Sequence, residues 1–192
     1  MKELINRVES RFTLLNHIEQ RPDLLFLSMD AKEVVEVLTY LRDIENYQHL
    51  VMISAVDRME DHMFQLTYLV HNYSDNIDIG IRTNIDRDNP VISSMHHLWP
   101  AAQVYQRELH ELFGIDFPGS PRQDEPMMLE GWDNIPPMRR DFDTKKYSEE
   151  TFFPRAGRET YDPRKVMAGK TYPKENEIKH EIKKLVRDQR NK

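Results

Sequence analysis

The sequence predicts an α+β fold, in which a mostly antiparallel sheet has helices packed on one face and is followed by a long extended C-terminal arm. Apolar and polar residues alternate over residues 64–70 and 77–85, as in strands that are half covered by a core. Apolar residues recur at helical spacing over residues 34–44 and 101–112. The stretch 118–173 then holds eight of the eleven prolines, which disfavours regular secondary structure there.

The first predicted elements are a helix, a short strand and a second helix. Residues 2–19 carry apolar side chains roughly on one side of a helix. The apolar run at 24–27 is short and therefore favours a strand. Asp30 and Glu33 have the spacing of a capping box, so we expect the second helix to start there and to run to about Ile44.

Three strands are predicted next. Residues 50–56 are apolar on both faces, which predicts a central strand in a covered sheet. The polar turn 57–61 joins this strand to residues 64–70 as an antiparallel hairpin. Residues 77–85 alternate most clearly and are expected to form a half-exposed strand.

A third helix is predicted to begin near Pro100, because proline suits the first helical turn. Its sheet-facing stripe is expected to consist of Ala101, Tyr105, Leu109 and Leu112. Polar residues such as Gln106 are expected to project elsewhere. Gly114 stands where a left-handed residue would end the helix, and Ile115 and Phe117 follow as apolar anchors.

We therefore expect an α+β domain at residues 1–117 and a Pro-rich arm at residues 118–192, with a terminal helix over residues 174–190. Arginines alternate with aromatic residues in the arm, as in interface anchors. A solvated basic face is the alternative. The preferred prediction is that the arm orders against another protein. The residues expected to bind this partner are Arg107, Glu108 and Glu111 on the third helix and, in the arm, Trp132, Arg139, Arg140, Asp141, Phe142, Phe152, Phe153, Arg155 and Arg158.

The composition excludes several classes of function. The formal net charge of −6 argues against nucleic acid as a partner. The absence of cysteine excludes disulfides and cysteine-ligated iron–sulfur clusters. No apolar run approaches the roughly 18 residues of a membrane span, and the first ten residues are too polar for a secretory signal. Any connection to a membrane is therefore expected to go through other proteins.

The sequence predicts no catalytic, cofactor-binding or metal-binding residue. It contains no P-loop, dinucleotide fingerprint or nucleophile elbow. An independent metal-dependent enzyme is the alternative from another class, and its ligands would be His96, His97, His110 and Glu111. Ordinary hydrogen-bonded or exposed histidines are preferred, since adjacent histidines point in different directions and no His-Glu-x-x-His helix is present.

Two blocks of the sequence resemble the 30 kDa subunit family of respiratory complex I. The first block comprises Arg107-Glu108, residues 111–115 and Phe117; members usually have Glu-Arg-Glu, an acidic residue before an apolar pair, and Gly-Ile. Gln106 stands in place of the first Glu. The second block, residues 137–142, is similar to the family's Pro-Leu-Arg-Lys-Asp followed by an aromatic residue.

The resemblance implies a non-catalytic assembly subunit in the hydrophilic arm of a membrane-bound, ion-pumping oxidoreductase complex. Such a subunit has no cofactor of its own. It packs on the large catalytic subunit, beside the iron–sulfur small subunit, and lies peripherally on the cytoplasmic side of the cell membrane. It would therefore reach the membrane only through other subunits.

Two departures within the arm bear on the branch of the family. Gly119-Ser120-Pro121 stands where many quinone-linked members have Gly-His-Pro, and residues 129–137 are more similar to relatives in membrane-bound [NiFe]-hydrogenase complexes. The resemblance therefore favours a hydrogenase-type complex. The alternatives are the equivalent subunit of an NADH- or other donor:quinone oxidoreductase, or of a related sulfur-reducing complex.

Overall fold

A five-stranded sheet forms the centre of the computed structural model, which describes residues 1–152. The elements in chain order are α1 (Lys2–Glu9), β1 (Leu14–Arg21), β2 (Leu24–Met29), α2 (Val34–Asp43), β3 (His49–Arg58), a short 3-10 helix (Met59–Asp61), β4 (Met63–Asn72), β5 (Ile77–Asp86), α3 (Ala102–Phe113) and α4 (Thr144–Thr151). Residues Met1–Thr144 form one compact unit, and a second unit begins at Lys145. None of the helices within residues 1–152 is long and apolar enough to cross a membrane.

The strands lie side by side in the order β1-β2-β5-β4-β3. Three neighbouring pairs are antiparallel, whereas β2 and β5 run parallel, with Leu25 opposite Ile79 and Leu27 opposite Ile81. The α+β class and the mostly antiparallel sheet are confirmed, and the parallel pair makes the sheet mixed. It arises because the connection through α2, β3 and β4 brings the chain back beside β2 in the same direction.

The core lies on one face of the sheet. Alternate residues of β2, β4 and β5, such as Leu27, Leu66 and Ile81, are fully buried there. Helices α1, α2 and α3 contribute residues to the same apolar cluster, among them Val8, Val37, Leu38, Leu41, Ala102 and Leu109. Burial of this apolar surface is the main term that stabilises the compact unit.

The predicted helix over residues 2–19 is wrong beyond Glu9. The chain forms β1 instead, which pairs antiparallel with β2 and places His17 opposite Leu27. A helix propensity is a weak preference, and here the free edge of β2 offers a ladder of backbone hydrogen bonds to the same residues. Leu15 shows the consequence, since it is exposed on β1 rather than buried on a helix.

The position predicted for residues 50–56 is also wrong. The strand exists and forms the predicted hairpin with β4, with Ile53 opposite Tyr68. It is, however, the edge strand of the sheet and not a central one. Leu50 and Ile53 are buried, whereas Met52 and Val56 are exposed on the other face of the strand. A strand with apolar residues on both faces therefore need not be covered by other elements on both faces.

Helix α2 ends close to the predicted position, but it has no capping box. The Glu33 carboxylate instead accepts hydrogen bonds from the backbone N–H and the hydroxyl of Thr13, at 2.9 and 3.1 Å. The Asp30 carboxylate accepts from the Lys32 N–H at 2.9 Å. The two acidic residues therefore cap local backbone separately, and Glu33 also ties the start of β1 to α2.

Candidate functional site

Helix α3 packs on the sheet in a register one position away from the predicted stripe. Ala102, Gln106, Leu109 and Phe113 are buried, whereas Tyr105 and Leu112 are half-buried and Ala101 is exposed. The burial of Leu109 is confirmed. The outward orientation expected for Gln106 is wrong: its side-chain oxygen accepts a hydrogen bond from the Ser94 hydroxyl at 2.9 Å in the interior. A buried amide of this kind is tolerated because it has a polar partner.

Gly114 ends α3 in the predicted left-handed conformation, with φ of +74°. The chain then turns back along the helix, and we call residues 118–144 the strap. The Met138 N–H donates to the Leu112 carbonyl at 3.0 Å, which satisfies one of the backbone acceptors left free at a helix C-terminus. A Cβ on Gly114 would lie 3.1 Å from Cγ of Pro136, so the strap passes close to the end of the helix.

Glu111 holds one part of the strap. Its carboxylate accepts hydrogen bonds from the N–H groups of Met127, Met128 and Leu129, at 3.0, 3.1 and 2.7 Å. Burial alone would raise the pKa of Glu111, but these three donors outweigh it and place the pKa below its ordinary value. The ionised carboxylate therefore acts as a clamp on three consecutive backbone groups.

Arg107 extends the clamp by one turn of the helix. Its guanidinium donates to the carbonyls of Glu125 and Pro126, at 2.9 and 3.2 Å. Glu108 is half-buried and forms no hydrogen bond or ion pair with any residue in the range 1–152. Of the three helix residues predicted to bind a partner, two thus bind the strap.

A buried ion pair anchors the far end of the strap. Arg87 donates two hydrogen bonds to Asp57, at 2.8 and 3.0 Å, and a third to Asp141 of the strap at 2.8 Å. The backbone N–H of Arg140 also donates to Asp57, at 2.8 Å. Burial would raise the pKa of Asp57, yet Arg87 and the Arg140 N–H bring it below its ordinary value. Hydrogen bonding to Arg87 likewise lowers the pKa of Asp141.

The neighbouring arginines of the strap differ in their surroundings. The Arg139 guanidinium donates to the Arg87 carbonyl at 3.3 Å and lies 5.4 Å from the centre of the Phe64 ring. Arg140 instead forms an exposed ion pair with Glu60, which lowers the pKa of that carboxyl group. Arg139 is therefore half-buried against the domain, while the Arg140 side chain stays at the surface.

Aromatic and apolar residues cover the middle of the strap. The rings of Trp132 and Phe142 meet edge to face, with centroids 5.5 Å apart, and the Trp132 indole N–H donates to the Ile135 carbonyl at 3.0 Å. The strap also carries apolar side chains that are 38 to 63% exposed, and we call these the apolar ridge: Met127, Met128, Ile135 and Met138. An apolar surface of this kind is a feature of interaction sites.

The remaining predicted partner residues lie further along the chain. Phe152 is exposed, and its ring contacts Tyr147 of α4 with centroids 6.3 Å apart. Phe153, Arg155, Arg158 and the helix predicted over residues 174–190 lie outside the described residues. Their role in docking stays a prediction.

The histidines considered as metal ligands do not form a site. Among residues 1–152, no three His, Asp or Glu side chains come together in a way that could hold a metal ion. His110 has its Nδ1 atom 3.1 Å from the Ile115 carbonyl, which places it at the end of α3. The His96 N–H donates to the Ser94 hydroxyl, as expected for a serine-capped turn.

The sequence did not identify Asp57, Arg87 or Glu60, although these residues hold the strap. The sequence pattern predicts a polar turn at Asp57, and Arg87 follows a strand with no motif around it. Nothing in a single sequence pairs two charges that are 30 positions apart. What the arrangement can do is mechanical: it fixes an irregular segment on a folded domain and presents the apolar ridge.

The family described as "Respiratory-chain NADH dehydrogenase, 30 Kd subunit" matches residues 27–148. The C subunit of the NADH-quinone oxidoreductase of Moorella thermoacetica is 30% identical over 121 residues, which cover 63% of this chain and 81% of that protein. The protein of the same name from Roseiflexus castenholzii is 29% identical over 165 residues, or 84% of this chain and 89% of that protein. The matched region runs from the last three residues of β2 through β3, β4, β5, α3 and the strap.

Two solved structures share the fold. A chain of the membrane-bound sulfane sulfur reductase, an archaeal respiratory membrane complex, has a TM-score of 0.72 at 22% identity and covers 83% of this chain and 96% of its own length. A trypsin-resistant fragment of Nqo5 has a TM-score of 0.54 at 17% identity, covering 62% of this chain and 96% of the fragment. At these identities the likeness concerns the fold alone.

Proposed function

Because the chain belongs to the respiratory-chain NADH dehydrogenase 30 Kd subunit family, we propose that it takes the place of the corresponding 30 Kd subunit in a membrane-bound oxidoreductase complex of the complex I type. In this proposal it is a non-catalytic assembly subunit. Its partners are the large catalytic subunit and the iron–sulfur small subunit, and it lies peripherally on the cytoplasmic side of the membrane. The observation that carries the proposal is the strap, which lies within the family match and presents an apolar ridge.

The strap has the properties of a docking surface that is already organised. Glu111 and Arg107 bind its backbone, and Arg87 binds the side-chain carboxylate of its Asp141. Ordering a free segment costs about 1–2 kcal/mol per residue in backbone entropy, and here that cost has been met before any partner arrives. Methionine side chains adapt to the shape of a partner, and aromatic residues and arginine are enriched in interfaces.

The type of complex is the finer part of the proposal. The hydrogenase branch rests on Gly119-Ser120-Pro121 and on residues 129–137. The relatives named above belong to NADH-quinone oxidoreductases, and they support the quinone alternative over the hydrogenase branch. The sulfane sulfur reductase is similar in fold at 22% identity and does not decide between them. We therefore propose a quinone-reducing complex.

The docking role can be tested by charging the apolar ridge. In the full chain, Met128→Asp together with Met138→Asp should reduce recovery of the large subunit in a pull-down by about tenfold or more, because a charge would be buried without a partner. The matched control is Val104→Asp, which charges an equally exposed apolar residue in the first turn of α3, where an acidic residue is tolerated. Equal recovery with both variants would show that the ridge is not the docking surface.

A second arm of this experiment tests the residues beyond the compact unit. Deletion of residues 145–192 should leave the thermal unfolding of Met1–Thr144 unchanged and still reduce recovery of the large subunit. Full recovery with the truncated chain would remove these residues from the docking surface.

The reaction of the complex can be tested with the natural assembly. A tagged chain is used to isolate the complex from solubilised membranes, and the eluate is assayed for reduction of quinone, protons and polysulfide. Quinone reduction that follows the tagged chain through purification is expected. Hydrogen evolution instead would restore the hydrogenase assignment, and a tagged chain that elutes alone would contradict the role as a subunit.

A further inference from the structure

A cavity of about 590 Å³ lies where β2 leaves the sheet, and we call it the notch. β2 pairs with β5 only as far as Ser28 opposite Arg82. β5 continues to Asp86 and keeps its pairing with β4 along this length. One edge of residues 83–86 therefore faces the notch instead of a neighbouring strand.

The backbone along this edge is available for pairing. The odd-numbered residues of β5 direct their backbone groups to β4, as the bond from the Arg87 N–H to the His62 carbonyl shows, so the groups on the notch side belong to Asn84 and Asp86. None of the described residues forms a hydrogen bond with these backbone groups. A free strand edge presents a row of donors and acceptors, and proteins usually cover such an edge or pair it. At the notch no strand within residues 1–152 covers this edge.

The notch is acidic. Its lining includes the carboxylates of Asp30, Asp61, Asp86 and Asp88 against a single guanidinium, that of Arg82. Within residues 1–152, Asp30, Asp86 and Asp88 form no ion pair, and Asp61 is paired only loosely at 3.7 Å. Arg82 is engaged elsewhere, since its guanidinium stacks 3.6 Å from the centre of the Phe26 ring. The uncompensated negative charge favours a cationic occupant.

A buried hydroxyl on the wall of the notch points to an occupant independently of the charge. Thr83 is only 2% exposed, yet its hydroxyl has no hydrogen-bond partner among the described residues. A buried polar group without a partner is costly, and such groups are rare in folded proteins. A segment that enters the notch brings the backbone groups that can satisfy this hydroxyl.

From these observations we infer that the notch binds an extended basic segment of a second protein, which adds to β5 as a short strand. The backbone of the segment forms hydrogen bonds with Asn84 and Asp86, and its lysine or arginine side chains contact the surrounding carboxylates. Strand addition takes its affinity from the main chain and its specificity from side chains on alternate positions. The inference does not depend on which oxidoreductase complex contains the chain, and the notch shares no residue with the strap.

The experiment uses the full-length chain and three blocked nine-residue peptides of one design. The first alternates threonine and lysine, the second replaces every lysine with glutamate, and the third is the lysine peptide with alternate backbone amides methylated. Binding is measured by fluorescence anisotropy at low salt, and the site is located from the amide resonances of residues 83–86. The lysine peptide should bind and shift these amides, whereas the other two peptides should not.

Variants of the chain separate the charge from the backbone contribution. Replacing Asp30, Asp86 and Asp88 with asparagine should weaken binding of the lysine peptide by about tenfold, since each exposed ion pair contributes up to about 1 kcal/mol. The matched control removes the same charge outside the notch, by Glu3→Gln, Glu9→Gln and Glu19→Gln, and should bind as tightly as the unmodified chain. Thr83→Val should weaken binding by about fivefold while the chain stays folded.

Three results would overturn the inference. The first is equal weakening by the notch triple variant and the control triple variant, which would indicate attraction to net charge alone. The second is binding that survives backbone methylation or shifts amides on the outer edges of β1 or β3. The third is self-association of the chain that the triple variant abolishes, which would identify a second copy as the occupant.

Discussion

The core beneath the sheet and the strap on α3 belong to the same compact unit, but different interactions hold them. The core consists of apolar side chains that are fully buried, such as Leu66 and Ile81. The strap is held by hydrogen bonds from its backbone to Glu111 and Asp57, while its apolar ridge stays exposed. The difference shows that the strap is held in place with its apolar ridge exposed to solvent, and that the strap adds little buried apolar surface of its own.

The substitution Arg87→Met tests a buried side chain that bonds to both Asp57 of the domain and Asp141 of the strap, and it should have the largest effect. It removes both hydrogen bonds to Asp57 and leaves that buried carboxylate with little more than the Arg140 N–H. Breaking a buried ion pair costs about 3–5 kcal/mol in the free energy of unfolding. Chemical denaturation measures this loss, and hydrogen exchange should show reduced protection of residues 139–141 as well.

Arg140→Gln is the control for this substitution, because it removes an exposed ion pair with Glu60 at the same end of the strap. Its unfolding curve should match that of the unmodified chain. If both variants lost the same free energy of unfolding, the buried ion pair would contribute no more to stability than the exposed one. The proposed difference between the two regions would then be wrong.

Leu109→Ala tests the core alone. Leu109 is buried on the sheet-facing side of α3, so its truncation should cost about 2–5 kcal/mol in the free energy of unfolding. Val104→Ala on the exposed side of the same helix should change stability by less than about 0.5 kcal/mol. An unprotected α3 in hydrogen exchange on the unmodified chain would contradict its place in the core.

The same contrast explains which parts of the molecule the sequence predicts. The hairpin of β3 and β4, the strand β5 and the left-handed Gly114 follow from local patterns, because periodicity and backbone conformation are local properties. No local pattern predicts β1, because its structure depends on a partner strand. The order of strands depends on a connection that no local pattern encodes.

The candidate site divides in the same way. Glu111 and Arg107 stand out in the sequence, but their contacts with the strap cannot be predicted from it. The strap is irregular, so its residues show no periodic pattern from which contacts could be inferred. The apolar pattern predicts the wrong side of α3 for Gln106, because a buried amide breaks that pattern and needs a partner, Ser94, that lies twelve positions away. Asp57 and Arg87 gave no signal at all, since buried charges are recognisable only once their partner is known.

Gly114→Ala sharpens the comparison at the point where helix and strap meet. A left-handed conformation costs an alanine about 1–2 kcal/mol, and the new Cβ would also press on Pro136. Gly131→Ala is a matched control, because Gly131 has the same φ of +74° but open space around it. Denaturation should show a larger loss for Gly114→Ala. An equal loss of stability in the two variants would mean that Pro136 moves to accommodate the new Cβ at no cost.

Glu111→Gln should have the smallest effect on global stability and a clear local one. Glutamine keeps one acceptor oxygen but loses the charge that attracts the N–H groups of Met127, Met128 and Leu129. Because the carboxylate is partly exposed, we expect a loss of about 1 kcal/mol, seen as about fivefold faster hydrogen exchange at these three amides. Glu108→Gln removes a carboxylate from the neighbouring turn that has no such contact in the described residues, and it should leave the three amides unchanged.

The pH dependence of this local effect identifies the ionised carboxylate as its cause. The pKa of Glu111 is lowered in the folded chain, so its contribution is fully present above the ordinary value of about 4.3 and is lost as the pH falls through the lower folded value. The unmodified chain and Glu111→Gln should therefore differ most near pH 7 and converge in acid. A difference that stays constant with pH would mean that side-chain packing, and not the charge of Glu111, holds the strap at this point. The strap would then be stabilised by packing, as the core is.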